Sequence, residues 1–242
     1  MAKSGISQFV IYEDAQVIAL DKPAGLAVQG GSGVEESLED LLKPLGKPGK
    51  PLKLVHRLDR ETSGVIIVAR NRTSAAALSK AFEARETIKT YLAITCGAPQ
   101  PPDGVIETAL KKITTKGVDM MRAARHGEAG ALASVTRYRT LDAVGDAALV
   151  ALLPETGRMH QLRAHLAHKG APIAGDGKYG GLFALGATKI PGLMLHAFSL
   201  AAPHPKGGML NLTAQPPEAF RKTAAALGLD AMAGLAMLGA KT

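Results

Sequence analysis

The chain is poor in cysteine and in aromatics. Of its 242 residues one is Cys, none is Trp, five are Phe and four are Tyr. A single thiol, Cys96, cannot close an internal disulfide, and the apolar run from Tyr91 to Thr95 marks it as a small core residue rather than a reactive one. A disulfide-stapled scaffold is therefore excluded. Long apolar runs are missing too. No window reaches the length a membrane-crossing helix needs, and Met1-Ala2-Lys3-Ser4-Gly5 has no apolar signal core. The expectation is a soluble protein of the cytoplasm. Acidic residues are also scarce: 21 Asp and Glu stand against 29 Lys and Arg, a net charge of +8. Such an excess favours a polyanionic partner, and RNA or DNA is the usual one. No extended apolar stripe asks for a second copy, so a monomer is expected.

What is present is a substantial apolar fraction, 46%, enough to build a core in one large domain or two small ones. Phe9 to Leu26 reads as strand, turn, strand, with Pro23 and Gly25 marking a further turn. Ser37 to Leu45 reads as a short helix that stops at the Pro and Gly cluster from Pro44 to Pro51. Gly30-Gly31-Ser32-Gly33 is a flexible loop, and it lacks the Lys-Ser/Thr that would make it a phosphate-binding P-loop. Thr73 to Arg85 predicts a helix capped by Asn71 or Thr73. Strands are expected at Thr90 to Thr95, Ala148 to Leu153 and Leu193 to Leu200. Helices are expected at Met159 to Lys169 and Glu218 to Leu229. Val105 to Arg139 alternates short β-type runs with polar turns, as antiparallel hairpins do. The elements form no regular βαβ series, so the fold class is α+β with a mixed, mostly antiparallel sheet. One domain over 1–228 is expected, with a loose Ala-, Gly- and Met-rich tail over 229–242.

The most informative stretch runs from Leu54 to Arg70. Asp59 stands among basic residues, before a Thr62-Ser63-Gly64 turn and the apolar run Val65 to Val68. Four apolar positions in a row need cover on both faces, so the turn is clamped to the core. A carboxylate flanked by Arg57 and Arg60 favours its charged form, which suits a nucleophile or a base.

A second stretch spans Glu155 to Leu166. Counted from Met159, one helical face carries Leu162, Arg163 and Leu166. Arg163 thus falls in an apolar stripe. It either snorkels to the surface or is buried against a carboxylate from elsewhere, and Asp59 is the candidate. His160, His165 and His168 invite a metal. Only His165 and His168 share a face, however, and no Cys or carboxylate stands at ligand spacing, so no metal is expected. Tyr91 opens a strand behind Lys89. It either packs with its hydroxyl at the sheet edge or stacks on a nucleobase. Lys111, Lys112, Lys116, Arg122, Arg125, Arg137 and Arg139 crowd the hairpin region against only Asp119 and Glu128, a candidate phosphate track.

These stretches together resemble the RluA-type pseudouridine synthases. His56-Arg57-Leu58-Asp59-Arg60-Glu61-Thr62-Ser63-Gly64 is similar to that family's catalytic motif. Asp21-Lys22-Pro23-Ala24-Gly25 resembles its N-terminal motif, and Lys89-Thr90-Tyr91-Leu92-Ala93 its Lys-x-Tyr-Leu-Ala segment. Thr156-Gly157-Arg158-Met159-His160-Gln161-Leu162-Arg163-Ala164-His165 resembles a further landmark. So do Gly175-Asp176-Gly177-Lys178-Tyr179-Gly180, Leu195-His196-Ala197 and His204-Pro205. Gln29 stands where the family usually has a His. Met159, Leu162 and Ala164 replace the more usual Thr, Ile and Val. Some members carry an S4-type RNA-binding module; this chain starts at the catalytic region, so none is expected.

The resemblance implies a pseudouridine synthase fold with a basic cleft, and isomerisation of a uridine in structured RNA without cofactor or metal. Ribosomal RNA is favoured as the substrate and tRNA is possible. It implies that Asp59 starts the reaction, that Arg163 holds it ionised, and that Tyr91 stacks on the uracil. It also implies RNA contacts from Arg57, Arg60, Thr62, Arg158 and His160 near a flipped nucleotide, with Lys111, Lys112 and Arg122 further out. Two other readings compete. A glycosidic-bond hydrolase would need a second carboxylate, for which Glu155 and Asp176 are on offer, although both sit in turns. A non-catalytic RNA-binding module would use the basic hairpins alone.

Overall fold

In the computed structural model the described residues are 5–31, 33–46, 51–115 and 117–230. An acid closes the first hairpin. Asp14 Oδ1 accepts from the Gln16 and Val17 amides at 2.7 and 2.8 Å, turning β1 (Val10–Glu13) into β2 (Val17–Lys22). Helix α1 (Leu38–Leu42) opens with a reciprocal capping box between Ser37 and Asp40. Strands β3 (Lys53–Leu54) and β4 (Ser63–Ala69) follow, and every residue of β4 is buried, as its apolar run requires. Helix α2 (Arg72–Glu83) is capped by Asn71, whose side chain accepts from the Ser74 amide at 2.8 Å. The chain continues through β5 (Ile88–Cys96), β6 (Asp103–Glu107), β7 (Leu110–Thr115), β8 (Val118–Ala123), β9 (Val135–Val144) and β10 (Ala147–Pro154). Then come α3 (Gln161–His168), β11 (Ala184–Leu185), β12 (Thr188–Lys189), β13 (Leu195–Pro203), β14 (Met209–Thr213) and α4 (Glu218–Ala226).

Two compact units share these elements: residues 1–89 with 196–216, and residues 90–195 with 217–242. In the first, the strand order is β1-β2-β4-β13, with β14 beside β13 and β3 beside β4. Strand β4 runs parallel to β13, pairing Ser63 with His196 and Gly64 with Ala197, and antiparallel to β2. Val17, Ala19, Val65, Ile67, Leu78, Leu200 and Leu212 form the core on one face, with Phe82 of α2 packed against it. In the second unit the order is β5-β10-β9-β6, all antiparallel, with β7–β8 and β11–β12 as separate hairpins. This is the α+β, mostly antiparallel architecture expected. No helix among the described residues is long and apolar enough to cross a membrane. The expected tail lies, from residue 231 onward, outside the described residues.

One expectation is corrected. Helix α3 starts at Gln161, not Met159, because His160 adopts a left-handed backbone (φ 48°) that cannot continue a helix. Met159 therefore lies outside the helix and is exposed, while Leu162, Arg163 and Leu166 are buried.

The start of β4 is fixed by close approach and by a buried imidazole. Gly64 has φ 111°, and a Cβ there would collide with the Ala197 carbonyl. Beside it, Ser63 Oγ lies 2.9 Å from His196 Nδ1, while His196 Nε2 donates to the Ala214 carbonyl at 2.9 Å. The carbonyl fixes the Nε2–H tautomer, so Nδ1 accepts the Ser63 hydroxyl proton. Gly64→Ala combines backbone strain with overpacking and should cost about 3 kcal/mol or more. Urea denaturation measures it, and an unchanged midpoint contradicts the close approach.

Candidate active site

The Asp59 turn is held by its backbone. The Thr62 amide donates to the Asp59 carbonyl at 3.1 Å, and Leu58 beside it is buried. Asp59 itself is half-buried and Arg57 is exposed. Thr62 is buried, so any part it takes runs through the turn. Arg60 ties the turn to the preceding loop. Its carbonyl accepts from the Gly25 amide at 2.9 Å, and its Nε donates to the Gly25 carbonyl at 3.0 Å.

Lys22 completes this lacing, and nothing in the residue pattern around it signalled a buried charge. Its side chain has 0% exposure. The amine donates to the carbonyls of Pro23 (2.8 Å), Leu26 (2.8 Å) and Arg60 (3.0 Å), one for each ammonium proton. Burial lowers its pKa to about 8, against the opposing pull of Glu61, Asp59 and Asp21. At neutral pH it is a cation placed to favour negative charge on the turn.

His56 serves the scaffold. The Ile67 amide of β4 donates to His56 Nε2 at 2.8 Å, and the ring stacks on Phe82 with centroids 4.6 Å apart. Accepting at Nε2 fixes the neutral tautomer with its proton on Nδ1. Burial, helped by the nearby Lys89 charge, pushes its pKa down to about 3.

In the second unit, Arg163 is buried and ion-paired, as one of the two sequence readings required. One carboxylate on it is Asp176, expected from sequence only to shape a turn. Arg163 Nε and Nη2 reach Asp176 Oδ2 and Oδ1 at 2.7 and 2.8 Å, with side-chain exposures of 8% and 0%. Asp176 also performs the turn duty, since its Oδ1 accepts from the Lys178 amide at 3.1 Å. Tyr179, from the same loop, lies under the guanidinium at 5.1 Å. Its oxygen accepts from the Met121 amide at 2.7 Å and lies 2.9 Å from His160 Nδ1. Tyr91 stands on β5 opposite Leu152 of β10 and is half-buried.

A chain of hydrogen bonds seats α3. Thr156 Oγ1 donates to Gln161 Oε1 (2.7 Å), and Gln161 Nε2 donates to Thr136 Oγ1 (3.0 Å). Thr136 lies 2.9 Å from His165 Nδ1, and His165 Nε2 donates to the Thr108 carbonyl at 3.2 Å. Both His165 nitrogens are thereby occupied, and burial lowers its pKa. Arg158 Nε donates to the Ala133 carbonyl at 3.2 Å.

The basic hairpin is partly neutralised from within. Lys111 lies opposite Arg122, and Glu128 takes both, at 3.1 and 2.5 Å. Lys112 pairs with Asp119 at 2.6 Å. Glu128 and Asp119 are both held below the usual carboxylate range, chiefly by Arg122 and by Lys112 respectively. Arg137 pairs with Glu155 at 2.6 Å.

Two outcomes follow from this geometry. Asp176→Ala removes the bidentate partner of a buried guanidinium and should cost about 3–5 kcal/mol. Chemical denaturation checks it, and a loss under 1 kcal/mol rejects a structural pair. The second concerns pH. His56, His165 and His196 all have folded pKa values lowered mainly by burial. Below about pH 6.5 the unfolded chain takes up protons that the folded chain does not, so stability falls as pH drops. The urea midpoint should decline between pH 7 and pH 5, less steeply in His56→Gln. A flat wild-type profile contradicts the buried neutral rings.

With this geometry in place, known proteins resemble the chain throughout. Residues 16–168 match the RNA pseudouridylate synthase family. The ribosomal large subunit pseudouridine synthase C of Rickettsia bellii is 40% identical over 224 residues, covering 92% of this chain and 73% of the relative. The Rickettsia felis protein of the same name is 42% identical over 181 residues, and the aligned part spans 58% of its length. The solved human RNA pseudouridylate synthase domain containing 4 superposes with a TM-score of 0.81 at 30% identity, covering 95% of this chain and 96% of that one. The chain belongs to the RNA pseudouridylate synthase family, isomerases that act on uridine within RNA.

Proposed function

We propose that this chain converts a specific uridine of large-subunit ribosomal RNA to pseudouridine, with Asp59 as the catalytic carboxylate. The N1–C1′ bond breaks, the uracil turns, and C5 bonds to C1′. The C5 proton leaves as N1 gains one, so nothing is oxidised and no group is lost. Asp59 acts on the ribose, by attack at the sugar or by removing a proton from it. Tyr91 stacks on the uracil and assists loss of the C5 proton. Arg163 is proposed to hold the Asp59 carboxylate ionised. Arg57, Arg60, Arg158 and His160 are the proposed contacts to the everted nucleotide.

The observation that carries this reading is the Asp59 turn: a half-buried carboxylate on a loop bonded through its backbone to Lys22 and Gly25. Such lacing gives the preorganised carboxylate that a reaction without cofactor needs. The ribosomal substrate is supported by the names of the Rickettsia relatives. The hydrolase reading loses its second carboxylate, since Asp176 is consumed by Arg163 and Glu155 by Arg137. Lys111, Lys112 and Arg122 carry less of the proposed RNA contact than their number suggests, because each already holds an acid.

Asp59→Ala should form no pseudouridine on unmodified large-subunit ribosomal RNA while still binding it. Chemical mapping of pseudouridine together with a filter-binding assay measures both. Turnover retained by the variant defeats the role of Asp59, and free uracil released by the wild type would establish a hydrolase instead.

A further inference from the structure

The turn that leads from α2 into β5 carries two cations that no protein acid neutralises. Lys89 is half-buried, and burial pushes its amine below the usual lysine range, with the like charge of Arg85 adding to the effect. Among the described residues, no carboxylate lies within ion-pair distance of Lys89 or Arg85. Glu83 and Glu86 stand in the same turn and pair with neither. The Lys89 charge in turn helps keep the nearby His56 neutral. A desolvated cation without a counter-ion is unfavourable in the free protein.

Arg85 adds a second local cost. It is one of two non-glycine residues with positive φ among the described residues, at 59°. The Glu86 amide reaches back to the Ala81 carbonyl at 2.9 Å, the helix-ending motif in which the left-handed position is usually glycine. An arginine there costs about 1–2 kcal/mol. Two neighbouring positions thus give up stability, Lys89 through a desolvated charge and Arg85 through its backbone, and both carry positive charge into the same turn. An anion supplied from outside relieves the electrostatic part.

We propose that Lys89 and Arg85 form a binding site for a backbone phosphate of the RNA substrate. The proposal rests on the RNA-directed reading above. The lysine supplies a point charge and the arginine a planar fork, a pairing suited to a phosphodiester. Unlike Lys111, Lys112 and Arg122, these two cations have no protein acid to displace first.

The test uses two variants that remove charge without damaging the fold. Lys89→Met keeps the apolar stem, and Arg85→Gly supplies the residue that the left-handed position favours. Binding of the full chain to an unmodified transcript of bacterial large-subunit ribosomal RNA is measured across a salt series. Each variant should weaken binding several-fold and reduce the slope of log K against log salt by about one. Each should melt no lower than wild type, and the apparent KM should rise by more than kcat falls. Lys89→Arg should keep the wild-type slope. Wild-type affinity and slope in both charge-removing variants overturn the site. So does a lowered melting temperature in Lys89→Met when Arg85→Gly binds like wild type, because Lys89 is then structural. A wild-type protein that neither binds nor modifies the transcript overturns the RNA reading instead.

Discussion

The first unit's Asp59 turn depends on a lysine ammonium buried with no ion-paired acid among the described residues. Lys22 has no exposure, and its three protons go to three backbone carbonyls. Two of those carbonyls shape its own loop, and the third belongs to Arg60, next to Asp59. Carbonyl dipoles solvate the charge well enough to keep it protonated at neutral pH, with a pKa of about 8. The same bonds fix the loop relative to the carboxylate. A neutral residue of equal size would leave three acceptors without donors, each a cost of about 1–3 kcal/mol. The charge is therefore structural and electrostatic at once: it ties the turn together and contributes positive potential beside Asp59.

The second unit solves the mirror problem. There a buried guanidinium is matched by a buried carboxylate and by the face of Tyr179. Planar arginine accepts both partners at once, two in-plane hydrogen bonds and a ring against its face, which lysine cannot. The loop from Gly175 to Gly181 exists in its form because of this match. Asp176 faces inward, its backbone closes the turn onto Tyr179 and Gly181, and Gly181 allows the close approach to Ile173. The network Thr156–Gln161–Thr136–His165 seats the helix that carries the arginine. The guanidinium is thus fixed from both ends of its side chain.

Much of this was legible in the sequence, and the part that was not has a common cause. Apolar runs announced β4 and β10, and Asn71, one of two caps offered, announced the start of α2. The apolar stripe correctly required Arg163 to be buried or to snorkel. The stripe could not announce Asp176, because it says that a charge needs an acid without saying which. Asp176 looked like a turn residue and is one, so its second duty left no separate mark. Lys22 was hidden for a related reason: its partners are backbone carbonyls, which every residue has and no side-chain pattern reveals. The start of α3 was misjudged because a left-handed histidine is invisible to periodicity. The ion pairs within the hairpin were out of reach, because seven cations counted against two acids says nothing about geometry, and Glu128 alone pairs with two of them.

That last point changes how the net charge of +8 bears on RNA. A positive total was the first reason to expect a polyanion, but a total does not attract a phosphate; a local unneutralised field does. Lys111, Lys112, Arg122 and Arg137 contribute to the total while their nearest counter-charges lie within 3.1 Å. Glu128 and Asp119 offset part of the charge on Lys111, Lys112 and Arg122, since Glu128 is shared by two of them. Arg57, exposed beside the Asp59 turn, and the pair Arg85 and Lys89 have no ion-pair partner among the described residues. Their field falls off as that of a charge. A phosphate arriving at a bare cation displaces only water and mobile ions, whereas at a paired cation it must also compete with a fixed carboxylate.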